Sequence, residues 1–136
     1  MDFKGTSIVS LASCYSGSID DRDIDGVYGL QRAFELAGAK TLILVRGQIN
    51  DMIAAAFMVC FYKSLAFNHV IDAFNDAKHQ LMHMTLQDFD QLFHLNEDII
   101  KEHKLGFYRR ELYRILSNKV LLKQELNKFM IQGNTQ

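Results

Sequence analysis

The chain contains no proline and no tryptophan, and only two of its 136 residues are cysteine. Average usage of about 5% proline would supply several, so no proline-marked linker or kink divides the sequence. At this length one domain is comfortable and two are not. Two cysteines, Cys14 and Cys60, give no support to a disulfide framework. Long hydrophobic runs are missing too. The most apolar stretch, residues 52–61, is well short of the roughly 20 residues that a membrane-spanning helix needs. No basic-plus-apolar segment near the start resembles a signal peptide. A reduced, cytoplasmic protein without a membrane span is therefore expected. Excess charge of either sign is absent: the formal net charge is -1, which leaves nothing global to attract nucleic acid or an anionic membrane. Nor is there a glycine-rich phosphate loop, a zinc-ligand spacing or a dinucleotide fingerprint, so no cofactor and no metal are expected. What remains, 49% hydrophobic and 23% charged residues, is the ordinary balance of a globular domain and argues against disorder.

Cys14 is the residue on which a chemical reading can be built. It ends an apolar, β-branched run over residues 6–13 and opens a turn-forming stretch, Tyr15-Ser-Gly-Ser18. A thiol at the C-terminal lip of a buried parallel strand occupies the place where open α/β sheets put their chemistry. Loop N–H groups there are free to hold an oxyanion. No histidine precedes it, so the nucleophile candidate has no obvious base. Asp20, Asp21, Asp23 and Asp25 then form an acidic loop before Gly26. Val27, Leu30, Phe34 and Ala37 recur at helical spacing, and Gly38 stands where a left-handed helix stop is wanted. Thr41–Val45 is a continuous apolar run, as a strand buried on both faces requires. After a loop over 46–49, Asn50 suits the N-cap of a helix over 52–67. Asn68 is placed to cap the next helix, whose Val70, Ala73, Phe74, Ala77 and Leu81 mark a buried side. Strand, helix, strand and helix with short links predict a parallel crossover unit.

Beyond Thr85 the pattern turns helical. Thr85 with Asp88 resembles a capping box, ahead of Leu86, Phe89 and Phe93 at helical spacing. Asn96 is set to cap a short helix ending at Gly106. Leu112, Ile115, Leu116, Leu122, Leu126 and Phe129 mark a long amphipathic helix with an interruption near Ser117 and Asn118. Residues 132–136 read as a frayed polar tail. The expected organisation is an α/β unit over residues 1–84 and an all-helical extension over 85–136. Two parallel strands leave backbone groups unpaired at both edges, so the sheet is expected to be the second half of a larger one. The missing strands come either from another chain or from dimerisation through the exposed edge.

Several of these segments resemble one known family. Leu11-Ala-Ser-Cys-Tyr-Ser-Gly17 is similar to the nucleophile segment of CHAT domains, caspase-like cysteine peptidase modules often found with tetratricopeptide repeats. Gly29-Leu-Gln-Arg-Ala-Phe-Glu-Leu-Ala-Gly-Ala39 resembles a helix of that family. The strand Thr41–Val45, the Asp51 loop, Phe61-Tyr62 with Leu65, and then Ala73, Phe74, Ala77 and Leu81 follow in the family's order. The resemblance implies the C-terminal part of a caspase-like parallel sheet with flanking helices. It also implies that Cys14 attacks a peptide carbonyl, with its own N–H helping to hold the oxyanion. Three departures stand beside it. The family's His-Gly motif lies on a strand before the cysteine strand, whereas the five histidines here, His69, His79, His83, His94 and His103, fall in helical or inter-helical segments. Gly47-Gln48 stand where the family often carries a Trp-Pro pair. Family members usually return to a strand after the last matching helix, and here helices are expected to continue.

Each polar feature has a plainer reading beside the functional one. Without a base, a free thiol is only about a few per cent thiolate at neutral pH. Asp20 and Asp21 either recognise a basic side chain of a substrate or simply solvate a loop. Asp51 either lines the same cleft or supports a helix start. His79 and His83 are an i, i+4 pair, but no Glu, Asp or Cys completes a recognisable ligand set, and a surface pair is expected. Arg109, Arg110, Arg114, Lys119, Lys123 and Lys128 make the C-terminal helix basic; it either docks nucleic acid, an acidic membrane surface or an acidic partner or simply has a solvated outer face. Two functional readings follow. In the first, the chain is a partial CHAT-like cysteine peptidase module that carries the nucleophile position without the catalytic histidine. It is inactive alone and takes a peptide or protein substrate once a base is supplied. In the second it is a non-catalytic oligomerisation or protein-interaction module, a homodimer or a chain whose sheet a partner completes.

Overall fold

Thr41-Leu-Ile-Leu-Val45 is apolar without a break, and in a computed structural model of the chain it forms the middle of a sheet. The structure describes residues 8–10, 36 and 41–133. Strand β1 (Ile8–Ser10) and strand β2 (Thr41–Val45) run parallel, with Ile8 opposite Thr41 and Ser10 opposite Ile43. Strand β3 (Phe129–Gly133) lies antiparallel on the other edge of β2, with Phe129 opposite Val45 and Gly133 opposite Thr41. All of β2 is buried, as a strand with both edges paired and both faces covered demands.

This sheet is mixed, which corrects two expectations. The described strands are not all parallel, and residues 85–136 are not all helical. Phe129, expected as the last apolar position of a helix, and residues 130–133, expected as helix end and tail, form β3 instead. The reason is non-local. The backbone of Phe-Met-Ile-Gln-Gly finds its hydrogen-bond partners along β2, and Phe129 is buried there. A pairing partner more than eighty residues earlier in the chain leaves no local signature.

The helices begin largely where side-chain caps were expected. Helix α1 (Asp51–Leu65) starts at Asn50, whose Oδ1 accepts from the Met52 and Ile53 N–H groups at 2.9 and 3.1 Å. It stops at Leu65 rather than at 67, because the N–H groups of Ala66 and Phe67 turn back to the Lys63 and Ser64 carbonyls. Asn68 closes that end. Its amide donates to the Ser64 carbonyl and hydroxyl at 3.1 and 3.0 Å, in place of the expected capping of helix α2 (Val70–Met82). Ala73, Phe74, Ala77 and Leu81 are buried on α2 as their spacing requires.

Helix α3 (Leu86–Leu92) carries the capping box. Thr85 Oγ1 accepts from the Asp88 N–H at 3.1 Å and Asp88 Oδ2 from the Thr85 N–H at 3.0 Å. Asn96 caps helix α4 (Glu97–Glu102) through a 2.9 Å bond from the Ile99 N–H. Both helices end alike. His94 and Lys104 take φ of 54°, and the following Leu95 and Leu105 N–H groups reach back to the Asp90 and Ile100 carbonyls. These are Schellman closures built without glycine. Gly106, expected to end a helix, instead begins helix α5 (Gly106–Leu116). The expected interruption is present: Asn118 caps helix α6 (Lys119–Leu126) by accepting from the Val120 and Leu121 N–H groups.

Two compact units result. The sheet unit holds residues up to 49, 69–71 and from 128 onward, and its core includes Leu42, Ile43, Leu44, Val45 and Phe129. The helical unit, residues 50–68 and 72–127, buries Ile53, Phe57, Phe61, Phe74, Leu81 and Leu112. There the Phe57 and Phe74 rings meet edge to face, centroids 5.5 Å apart, a favoured aromatic geometry. Arg109 on α5 grips Asp90 on α3 with two bonds, 3.1 and 2.6 Å long. No described helix is long and apolar enough to cross a membrane.

Candidate functional site

The C-terminal end of β2 is the structural landmark nearest the chemistry that the sequence suggests. Arg46, Gly47, Gln48 and Ile49 leave the strand there, and Gly47 takes φ of 77°, a conformation that side chains disfavour. The loop is held from the segment before β3. The Arg46 N–H donates to the Lys128 carbonyl at 2.8 Å, and the Lys128 ammonium donates to the Gln48 carbonyl. Gly47 and Gln48 therefore belong to a loop with a set backbone path, not a loose one.

In the helical unit, Asn50 is tied twice. Besides capping α1, its backbone N–H donates to Glu125 Oε2 at 2.9 Å. No local pattern in the sequence announced that contact, since Glu125 lies on α6. Asp51 is the first residue of α1 and is exposed. A carboxylate in the first turn complements the positive end of the helix dipole, and its side chain is open to solvent.

Cys14, Asp20 and Asp21, the other candidate site residues, lie outside the described residues, as do Asp23, Asp25 and Gly38. The five histidines are all described, and none is on a strand. His69 precedes α2, His79 is within it and His83 directly follows it, while His94 and His103 stand at the ends of α3 and α4. Among the described residues no group of three or more His, Cys, Asp or Glu is arranged to hold a metal ion.

Cys60 is the second thiol, and it is buried on α1. Burial pushes its pKa above the ordinary thiol value, against the opposing pull of the Lys63 charge, with Asp76 adding to the rise. A buried, protonated thiol is a poor nucleophile, so Cys60 acts as a small core residue. Much of the basic character of the C-terminal helices is also internal. Arg109 binds Asp90, Arg114 binds Glu111 and Lys119 donates to the Met82 carbonyl. The plainer reading of that charge, a solvated and locally paired surface, agrees with these contacts.

Comparison with known proteins adds what geometry alone does not. No curated protein and no solved structure matches the chain. The family model of the CHAT domain matches residues 1–119, which takes in the segment around Cys14, the β2 strand and the helices through α5. The match runs past the stretch in which the resemblance was read, so α3, α4 and α5 fall within it. With most of its 136 residues matched in this way, the chain belongs to the CHAT domain family, a caspase-like, peptidase-related module.

Proposed function

We propose that this chain carries the nucleophile position of a CHAT-type cysteine peptidase module, with Cys14 as the attacking thiol, and that it is inactive alone. The observation that carries the reading is the parallel pairing of β1 with β2. Ser10 is the partner of Ile43, and Cys14 follows Ser10 by as many residues as Gly47 follows Ile43. On this proposal the thiol and the clamped 46–49 loop share one sheet end, where α/β sheets bind and transform ligands. The second edge of β2 is closed by β3, and the side of β1 turned away from β2 has no partner among the described residues. A strand laid along that side is the route by which a histidine base reaches Cys14. Asp20, Asp21 and Asp51 serve as acidic groups for a basic side chain of a peptide substrate.

The chemistry then divides simply. An imidazole from the added strand takes the thiol proton, the thiolate attacks the carbonyl, and backbone N–H groups at the strand end hold the oxyanion. Mixing the chain with a segment bearing the His-Gly strand tests this. A peptide electrophile is expected to label Cys14 in the mixture and not in the chain alone. Labelling that never exceeds that of Cys60 would remove the proposal.

A non-catalytic interaction module is the second reading, favoured by Phe107, Tyr108 and Tyr113, which stand exposed on α5. It predicts a homodimer or larger species by light scattering, with association unchanged in Cys14→Ala. A strictly monomeric, well-folded chain speaks against it.

A further inference from the structure

At the C-terminal end of α2 the helical period brings His79 and His83 to one side. Both are exposed, and their rings meet with centroids 4.6 Å apart and planes inclined at 62°. With Gln80, Met84 and Asp88 they line an open concavity of about 400 Å³. The peptidase reading makes no use of them. The distance between the rings is informative. With metal–imidazole bonds of about 2.0–2.1 Å, each ring centroid lies about 3.2 Å from a shared ion. Centroids 4.6 Å apart lie within the roughly 6.4 Å that two such rings on one ion can span, so a shared ion is within reach of both.

We propose that His79 and His83 form a bidentate site for a divalent transition-metal ion that imidazole ligands suit, such as nickel(II) or copper(II). Neutral imidazole is a ligand suited to both ions. The negative end of the α2 dipole favours a cation at this position. Asp88, on the rim, adds a carboxylate whose pKa hydrogen bonds from Thr85 hold below the ordinary value. Lys119 opposes: its ammonium sits on the Met82 carbonyl at the same helix end. Among the described residues the pair belongs to no group of three or more His, Cys, Asp or Glu, so the two imidazoles are the proposed ligands and Asp88 contributes its charge.

Nickel(II) added to the full chain reads the site directly. Calorimetry is expected to give one ion per chain, and NMR to show the His79 and His83 ring signals broadening together. His79→Asn and His83→Asn are each expected to weaken binding by about tenfold or more, since either leaves one imidazole and no chelate. Unchanged affinity in both variants, or broadening centred on His69, His94 or His103, overturns the assignment. The broadening pattern is read on the unsubstituted chain, so it decides even where a substitution disturbs α2.

Discussion

Burial decides the chemistry of Cys60. Cys60 is 2% exposed, and removal from water penalises its charged form. Since the folded chain holds that proton more tightly than the unfolded one, its contribution to stability is intact below the ordinary thiol pKa. It is lost as pH rises from there toward the raised value. Urea unfolding at about pH 7 and about pH 10 is therefore expected to show a steeper alkaline loss in the native chain than in Cys60→Ala. Equal slopes would contradict the assignment. His94 and Lys104 make a second test at the residue scale. Each occupies a left-handed conformation, φ 54°, which costs an L-residue about 1–2 kcal/mol. Part of any gain from glycine is offset by the greater freedom it gives the unfolded chain. His94→Gly and Lys104→Gly are each expected to raise stability by about 0.5–1 kcal/mol, seen as a higher urea midpoint. A lowered midpoint would show that those side chains contribute contacts worth more than the strain.

At the scale of elements, what was legible in the sequence was local. Asn50 and Asn96 cap helices because a side-chain oxygen reaches N–H groups two or three residues ahead. The Thr85–Asp88 box closes over the same span. The run Thr41–Val45 announced a buried strand by composition alone. The failures were of another kind. Gly106 resembled a helix stop, but His94 and Lys104 made the stops without glycine, and Gly106 opens α5. Phe129 continued the spacing of Leu122 and Leu126, so it read as helix, while its actual partner is Val45 across the sheet. The grip of Arg109 on Asp90 and the bond from Asn50 to Glu125 were invisible for the same reason: both depend on how helices meet. The strand assignment has its own test. Phe129 is 3% exposed in β3, so Phe129→Ala is expected to cost about 3–5 kcal/mol in denaturant unfolding. A loss near zero would restore the frayed tail.

At the scale of the whole molecule, family membership and sheet topology bear on one question, which is where the base comes from. The chain belongs to the CHAT domain family over residues 1–119, and the proposal makes Cys14 its nucleophile. Its five histidines sit on or between helices, and none lies on a described strand. β2 has both edges paired, and β1 has a side that no described residue pairs. On the proposed account the molecule is a catalytic half-site whose sheet is extended at β1, and peptidase activity is a property of the extended assembly.

The decisive quantity is the distance from the Cys14 sulfur to the nearest imidazole nitrogen in a crystal of the chain joined with a segment carrying the His-Gly strand. The account predicts about 3–4 Å, a loosened hydrogen-bond contact, to a histidine on the added strand beside β1. A nearest imidazole belonging to His69, His79, His83, His94 or His103, or a sulfur facing no imidazole at all, would contradict it.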